Sequence, residues 1–172
     1  MKILFITGNK SKFSEAKKIL KQFGVNIVQS DSTAEEIRSD SLEEIASASA
    51  KAAHAEFGKP LFVEDSGLFI PSLNGFPGAY SAWVFRKVGN KGILSLARGK
   101  KAEFRSCIAY ADGTKVKTFT GSVKGKIAEK ARGSSGFGYD PIFIPEKTAG
   151  IRHSGEKTFA EDPEMKGALS HR

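Results

Sequence analysis

Hydrophobic and polar positions follow two rhythms along this chain. The run Lys2–Thr7 is short and apolar, Gly8-Asn9 breaks it, and Phe13, Ala16, Ile19, Leu20 and Phe23 then recur at helical spacing. The pattern predicts strand, glycine turn and helix, with Gly24 as the stop and Val25–Gln29 as a second strand. A polar loop, Ser30–Asp40, follows. Ser41 and Glu44 have the spacing of a capping box, and Leu42, Ile45, Ala46, Ala53 and Phe57 suit the inner face of a second helix, ended by Gly58 and Pro60.

Leu61-Phe62-Val63 predicts a buried strand that runs into Glu64-Asp65-Ser66-Gly67, with a second apolar piece, Leu68-Phe69-Ile70, beyond. A loop with Asn74-Gly75 and Pro77-Gly78 precedes helical patterns over Ser81–Val88 and Gly92–Arg98. Ala102–Ala111 and Lys115–Val123 flank Asp112-Gly113, a dipeptide that closes tight hairpins. A glycine-rich loop, Gly133–Gly138, leads to a strand over Pro141–Ile144 and a short helix near Pro163–Leu169. This order predicts an α/β fold: a mixed, twisted central sheet flanked by helices, in two lobes with an intervening cleft that collects the loops after the strands.

At 172 residues the chain suits one core, so residues 1–172 are expected to form a single domain. With 40% apolar and 27% charged residues it is neither disordered nor fibrous. No apolar run approaches the ~20 residues of a membrane-spanning helix, and Ile3–Ile6 is too short for a signal peptide's apolar region. The lone Cys107 excludes an internal disulfide and a cysteine-based zinc site, which fits a reducing compartment. A cytoplasmic protein is expected. Lys and Arg outnumber Asp and Glu by 27 to 19, which favours anionic partners without selecting one.

Thr7-Gly8-Asn9-Lys10-Ser11-Lys12 joins the first strand to the first helix. Unpaired amides at a helix start, a glycine that admits close approach and two lysines would cradle phosphate; an ordinary turn with solvated lysines accounts for the same residues. Glu64-Asp65 offers hard oxygen ligands of the kind Mg²⁺ takes beside phosphate, or a merely acidic surface turn. Glu36 is a further carboxylate, indistinguishable by spacing from Glu35, Glu43 and Glu44. Phe137-Gly138-Tyr139-Asp140-Pro141 sets aromatic faces on a glycine-rich loop, suited to stack a base or to fill a core. Ser170-His171-Arg172 ends the chain, and Arg, which only donates hydrogen bonds, favours an oxo over an amino group. His54 and His153 lack metal-ligand spacing, and no P-loop, G-x-S-x-G or H-E-x-x-H pattern occurs.

Taken together, Thr7–Lys12, Glu64–Leu68, Phe76-Pro77-Gly78-Ala79-Tyr80-Ser81, Gly136–Pro141 and Ser170-His171-Arg172 closely resemble the HAM1/inosine triphosphate pyrophosphatase family in order and spacing across nearly the whole chain. The resemblance implies a dimeric α/β enzyme that hydrolyses ITP, dITP and XTP to the monophosphate and pyrophosphate with Mg²⁺, clearing deaminated purines from the nucleotide pool. It implies that Thr7, Gly8, Asn9, Lys10, Ser11 and Lys12 surround the triphosphate; splitting a triphosphate needs cations to stabilise charge developing on the leaving pyrophosphate, and Lys10 and Lys12 suit that role. Asp65 would be a metal ligand and the base for the attacking water, and Glu36 the other metal carboxylate. Ser66, Phe137, Gly138, Tyr139, Asp140 and Lys166 would contact substrate, with His171 and Arg172 reading the purine's 6-oxo edge.

The chain departs from the family at Ala82-Trp83, where many members carry a basic residue, and at Arg172, where members continue into a further helix and this chain is expected to be cut or short. A Maf-like pyrophosphatase acting on pyrimidine or modified nucleotides is the competing enzyme. A basic nucleic-acid-binding module is the competing non-enzyme, disfavoured because the lysines are spread along the chain. Neither nucleic acid nor membrane is an expected partner; a second copy of the chain is.

Overall fold

The computed structural model describes residues 2–32, 36–147, 156–169 and 171. The elements run β1 (Lys2–Ile6), α1 (Lys10–Lys21), β2 (Asn26–Ser30), α2 (Leu42–Phe57), β3 (Leu61–Phe69), β4 (Pro77–Gly78), α3 (Ser81–Ala97), β5 (Lys101–Ala111), β6 (Val116–Ile127), β7 (Phe143–Pro145) and α4 (Pro163–Leu169). The strands order as β2-β1-β3-β5-β6-β7, with β4 paired on β3. β1 is parallel to β2 and β3, because helical crossovers return the chain in the same direction; β4 and β7 pair antiparallel with β3 and β6. The expected mixed α/β sheet is therefore present. Among the described residues no helix is long and apolar enough to cross a membrane.

The chain divides into two compact units, one drawn from Met1–Asp65 and Ser106–Thr120, the other from Ser66–Arg105 and Gly121–His171. In the first, Phe5, Ile27 and Phe62 are buried under Phe13, Ala16 and Leu20 of α1, and the rings of Phe5 and Phe62 stack 4.3 Å apart. The second is centred on Leu68, Ile93, Phe104, Ile127, Phe143 and Phe159. There Ser81 locks the Phe76–Ser81 turn: its hydroxyl donates to the Gly78 carbonyl at 2.7 Å and accepts the Leu68 amide at 2.8 Å.

Several local expectations are corrected. Glu64–Gly67 does not interrupt the third strand; β3 runs through it. Pro141 and Ile142 belong to a 3-10 turn, Asp140–Ile142, because proline cannot donate to a ladder, and the strand begins only at Phe143. Phe23 lies beyond the end of α1 and is exposed. The capping box of α2 is half formed: Ser41 Oγ accepts the Glu44 amide at 3.2 Å, but Glu44's carboxylate is taken by the Ser39 hydroxyl at 2.6 Å. The two helical patterns after residue 80 are α3, broken at Gly89, whose φ of 59° no helix accommodates.

Candidate active site

Thr7–Lys12 leaves β1 as a tied-down turn. The Thr7 amide donates to the Ser30 carbonyl and the Gln29 side chain donates to the Thr7 carbonyl, each at 2.8 Å. Asn9 caps α1, its Oδ1 accepting the amides of Ser11 at 2.9 Å and Lys12 at 3.1 Å. The expectation of unpaired amides at this helix start is thus corrected for these two, since a carboxamide is among the best short acceptors at a helix N-cap. Gly8, Lys10 and Ser11 are exposed; Thr7, Asn9 and Lys12 are half-buried. α1 has no acid in its first turn and carries Lys10 and Lys12 there, against the helix dipole, whereas α2 opens with Glu43 and Glu44 as the dipole favours. The first turn of α1 thus breaks a charge rule that α2 keeps.

Lys12 reaches across to β3. Its Nζ lies 2.9 Å from Glu64 Oε2 and 3.3 Å from the Glu64 carbonyl, with the Glu64 side chain 2% exposed and that of Lys12 17%. On β3 the two adjacent carboxylates differ: Glu64 is buried and Asp65 half-buried. Glu36 is exposed between β2 and α2. Cys107 is fully buried in the same unit; burial first, then the charges of Glu43, Asp65 and Glu64, push its thiol up to about 11. It is neutral and no nucleophile.

The expected metal carboxylates, Glu36 and Asp65, are of the hard-oxygen type that Mg²⁺ takes in ones or twos alongside water and phosphate oxygens, without imidazole or thiolate. Among the described residues no group of three or more His, Cys, Asp or Glu is gathered to cage an ion.

The second unit brings together Phe137, Asp140 and Lys166. Asp140 is buried and its Oδ2 accepts both the Phe137 amide at 2.7 Å and Lys166 Nζ at 2.8 Å. Lys166 Nζ also stands 4.5 Å from the centre of the Phe137 ring, within cation–π range. Tyr139 is a core residue: it is buried, meets Phe85 edge-on at 5.2 Å and donates its hydroxyl to the Ser81 carbonyl at 3.1 Å. Burial pushes that hydroxyl up to about 12. The Gly138 carbonyl accepts from Asn90, and Ser66 is half-buried on β3. His171 is buried against Phe104; Ser170 and Arg172 lie outside the described residues.

Sequence reasoning missed the role of Glu64 as Lys12's counter-charge, and it passed over Phe104. The first had a signal, a lysine unfavourably placed at a helix start and a carboxylate inside an apolar strand. The second had none, because one phenylalanine among thirteen looks like any other core residue.

These features define an α/β protein with a basic helix start locked to a strand carboxylate and an aromatic loop braced by a buried ion pair. The chain belongs to the Ham1 family, whose model matches residues 3–172. It is 51% identical to a dITP/XTP pyrophosphatase of Methanopyrus kandleri, covering all of this chain and 90% of the relative. It is 46% identical to a dITP/XTP pyrophosphatase of Thermococcus kodakarensis, covering 100% of this chain and 91% of that one. Among solved structures it resembles a HAM1 protein from Coxiella burnetii, with TM-score 0.82 and 29% identity over all of this chain and 92% of that one. A nucleoside-triphosphatase, a dITP/XTP pyrophosphatase from Mycobacterium abscessus, matches with TM-score 0.75 and 31% identity over 100% of this chain and 95% of the other.

Proposed function

We propose that this protein hydrolyses non-standard purine nucleoside triphosphates, dITP, ITP and XTP, to the monophosphate and pyrophosphate, and so removes deaminated purines from the nucleotide pool. The observation that carries this is 51% identity, over all of this chain and 90% of the relative, to a protein named dITP/XTP pyrophosphatase. Residues 1–172 act as one catalytic domain, in the cytoplasm, as a homodimer, on free nucleotides rather than nucleic acid.

Lys10 and Lys12, with the Thr7–Ser11 turn, bind the triphosphate, whose charge relieves two lysines set against the helix dipole. Glu64 holds Lys12 in place until phosphate competes for it. Asp65 orients the attacking water and accepts its proton; its low intrinsic basicity leaves it a weak base. Bound through Glu36 and Asp65, Mg²⁺ would supply charge stabilisation at the phosphate oxygens. Phe137, with Gly138 and the backbone of Tyr139, lies along one face of the base, braced by Asp140 and Lys166, and Ser66 contacts the substrate. His171 and Arg172 donate to the 6-oxo group. Adenine would meet those donors with its own amino group and leave both unpaired, which rejects ATP.

The test is a panel of dITP, ITP, XTP, the four standard nucleotides and UTP, with and without Mg²⁺, read by product. Pyrophosphate from dITP and XTP with little from ATP supports the reading. Equal rates on all nucleotides, preference for UTP, or release of orthophosphate removes it.

A further inference from the structure

Residue 121 of β6 is glycine for a reason found at the far end of the chain: a Cβ there would overlap the carbonyl oxygen of His171. The His171 imidazole in turn lies flat on Phe104 of β5, with ring centres 4.9 Å apart and planes 7° apart. Phe104 is itself wedged by Phe143 at 4.6 Å and stacked on Phe159 at 6.2 Å. One residue therefore has its backbone seated on a bare strand position and its ring on a fixed aromatic face, and only 6% of it is exposed.

Stacking fixes the plane of an imidazole, and its ring nitrogens donate or accept only within that plane. Telling an oxo from an amino group requires a donor whose direction cannot adapt, because a donor free to swing away tolerates either. We propose that Phe104 and Gly121 are specificity-determining positioning residues, which seat His171 and so set the discrimination between 6-oxo and 6-amino purine triphosphates. This rests on the reading of His171 as part of the purine site.

The experiment measures kcat and KM for dITP and dATP by pyrophosphate release in F104L, which removes the flat face, F104Y, which keeps it, and G121A, which displaces the His171 backbone. F104L is also made in an H171A background. The dITP-over-dATP ratio of kcat/KM falls about tenfold or more in F104L and G121A, and F104Y retains it. The F104L effect vanishes once His171 is alanine, as a cycle between coupled residues requires. An unchanged ratio in F104L and G121A, or an F104L loss undiminished in the H171A background, overturns the proposal. Should F104L not fold, G121A and F104Y decide it. Failure of the functional reading looks different: a wild type without dITP or XTP turnover. The seat is then read from the His171 ring-proton resonances, which Phe104's ring current shifts in the wild type and not in F104L; identical resonances overturn it.

Discussion

Lys166 and Asp140 form a buried ion pair, Nζ to Oδ2 at 2.8 Å, with only 8% and 5% of their side chains exposed. The same carboxylate oxygen holds the Phe137 amide, so one group pins the loop backbone and the cation beneath its aromatic ring. Removing one partner strands a desolvated charge, which typically costs about 3–5 kcal/mol, whereas removing both does not. Asp140→Ala should therefore lower stability by about that much in urea unfolding, and Asp140→Ala with Lys166→Met should recover a large part of it. A double variant as unstable as the single one would show that the pair is not the source of the loss.

Asp65→Asn should fold normally and still bind nucleotide while losing about 10²-fold or more in turnover, because the amide keeps the shape and loses the proton acceptor. Nucleotide binding by calorimetry alongside pyrophosphate release separates the two effects. Near-normal turnover would strip Asp65 of its role.

How far the chain could be read in advance depended on whether a residue's partner was near in sequence. Ser41 caps α2 through an amide three residues away, so that start is legible, as is the hairpin at Asp112-Gly113, whereas Asn9 reads only as a break and its cap on the Ser11 and Lys12 amides is not legible. β3 reads from the sequence as two pieces because Asp65, Ser66 and Gly67 look like a turn, yet the strand pairs with β1 over Leu61–Val63 and with β4 at Leu68 and Phe69 and runs unbroken between them. Phe137 and Asp140 were legible as a loop with chemistry, but nothing local says that Asp140 faces Lys166, twenty-six residues on, or that Tyr139 turns into the core. The Lys12–Glu64 pair spans fifty-two residues and is equally silent.

That pair carries its own prediction. Glu64→Gln keeps a polar contact to Lys12 but cancels the counter-charge, so Lys12 faces incoming phosphate without an anionic competitor. KM for dITP should fall severalfold if the pair only restrains Lys12, while Lys12→Met should raise KM and lower kcat together, since it removes a cation used both in binding and on the leaving group. Equal behaviour of the two variants would contradict the division of roles.

Cys107 should make stability fall in alkali. Its buried thiol titrates at about 11 in the folded chain against an ordinary 9.0. Below pH 9 both states keep the proton and stability does not respond. Between pH 9 and 11 the unfolded chain releases a proton that the folded one retains, so stability falls as pH rises, by about 2–3 kcal/mol in all at 1.36 kcal/mol per pH unit. Cys107→Ala lacks this slope, at the cost of a small cavity that lowers its stability equally at every pH. Tyr139, raised from 10.0 to about 12, acts in the same direction in both proteins and cancels in their difference. Urea midpoints for wild type and Cys107→Ala at pH 7, 8, 9 and 10 should therefore differ by a constant up to pH 9 and converge above it; curves that stay parallel would mean the thiol is not held protonated by its burial.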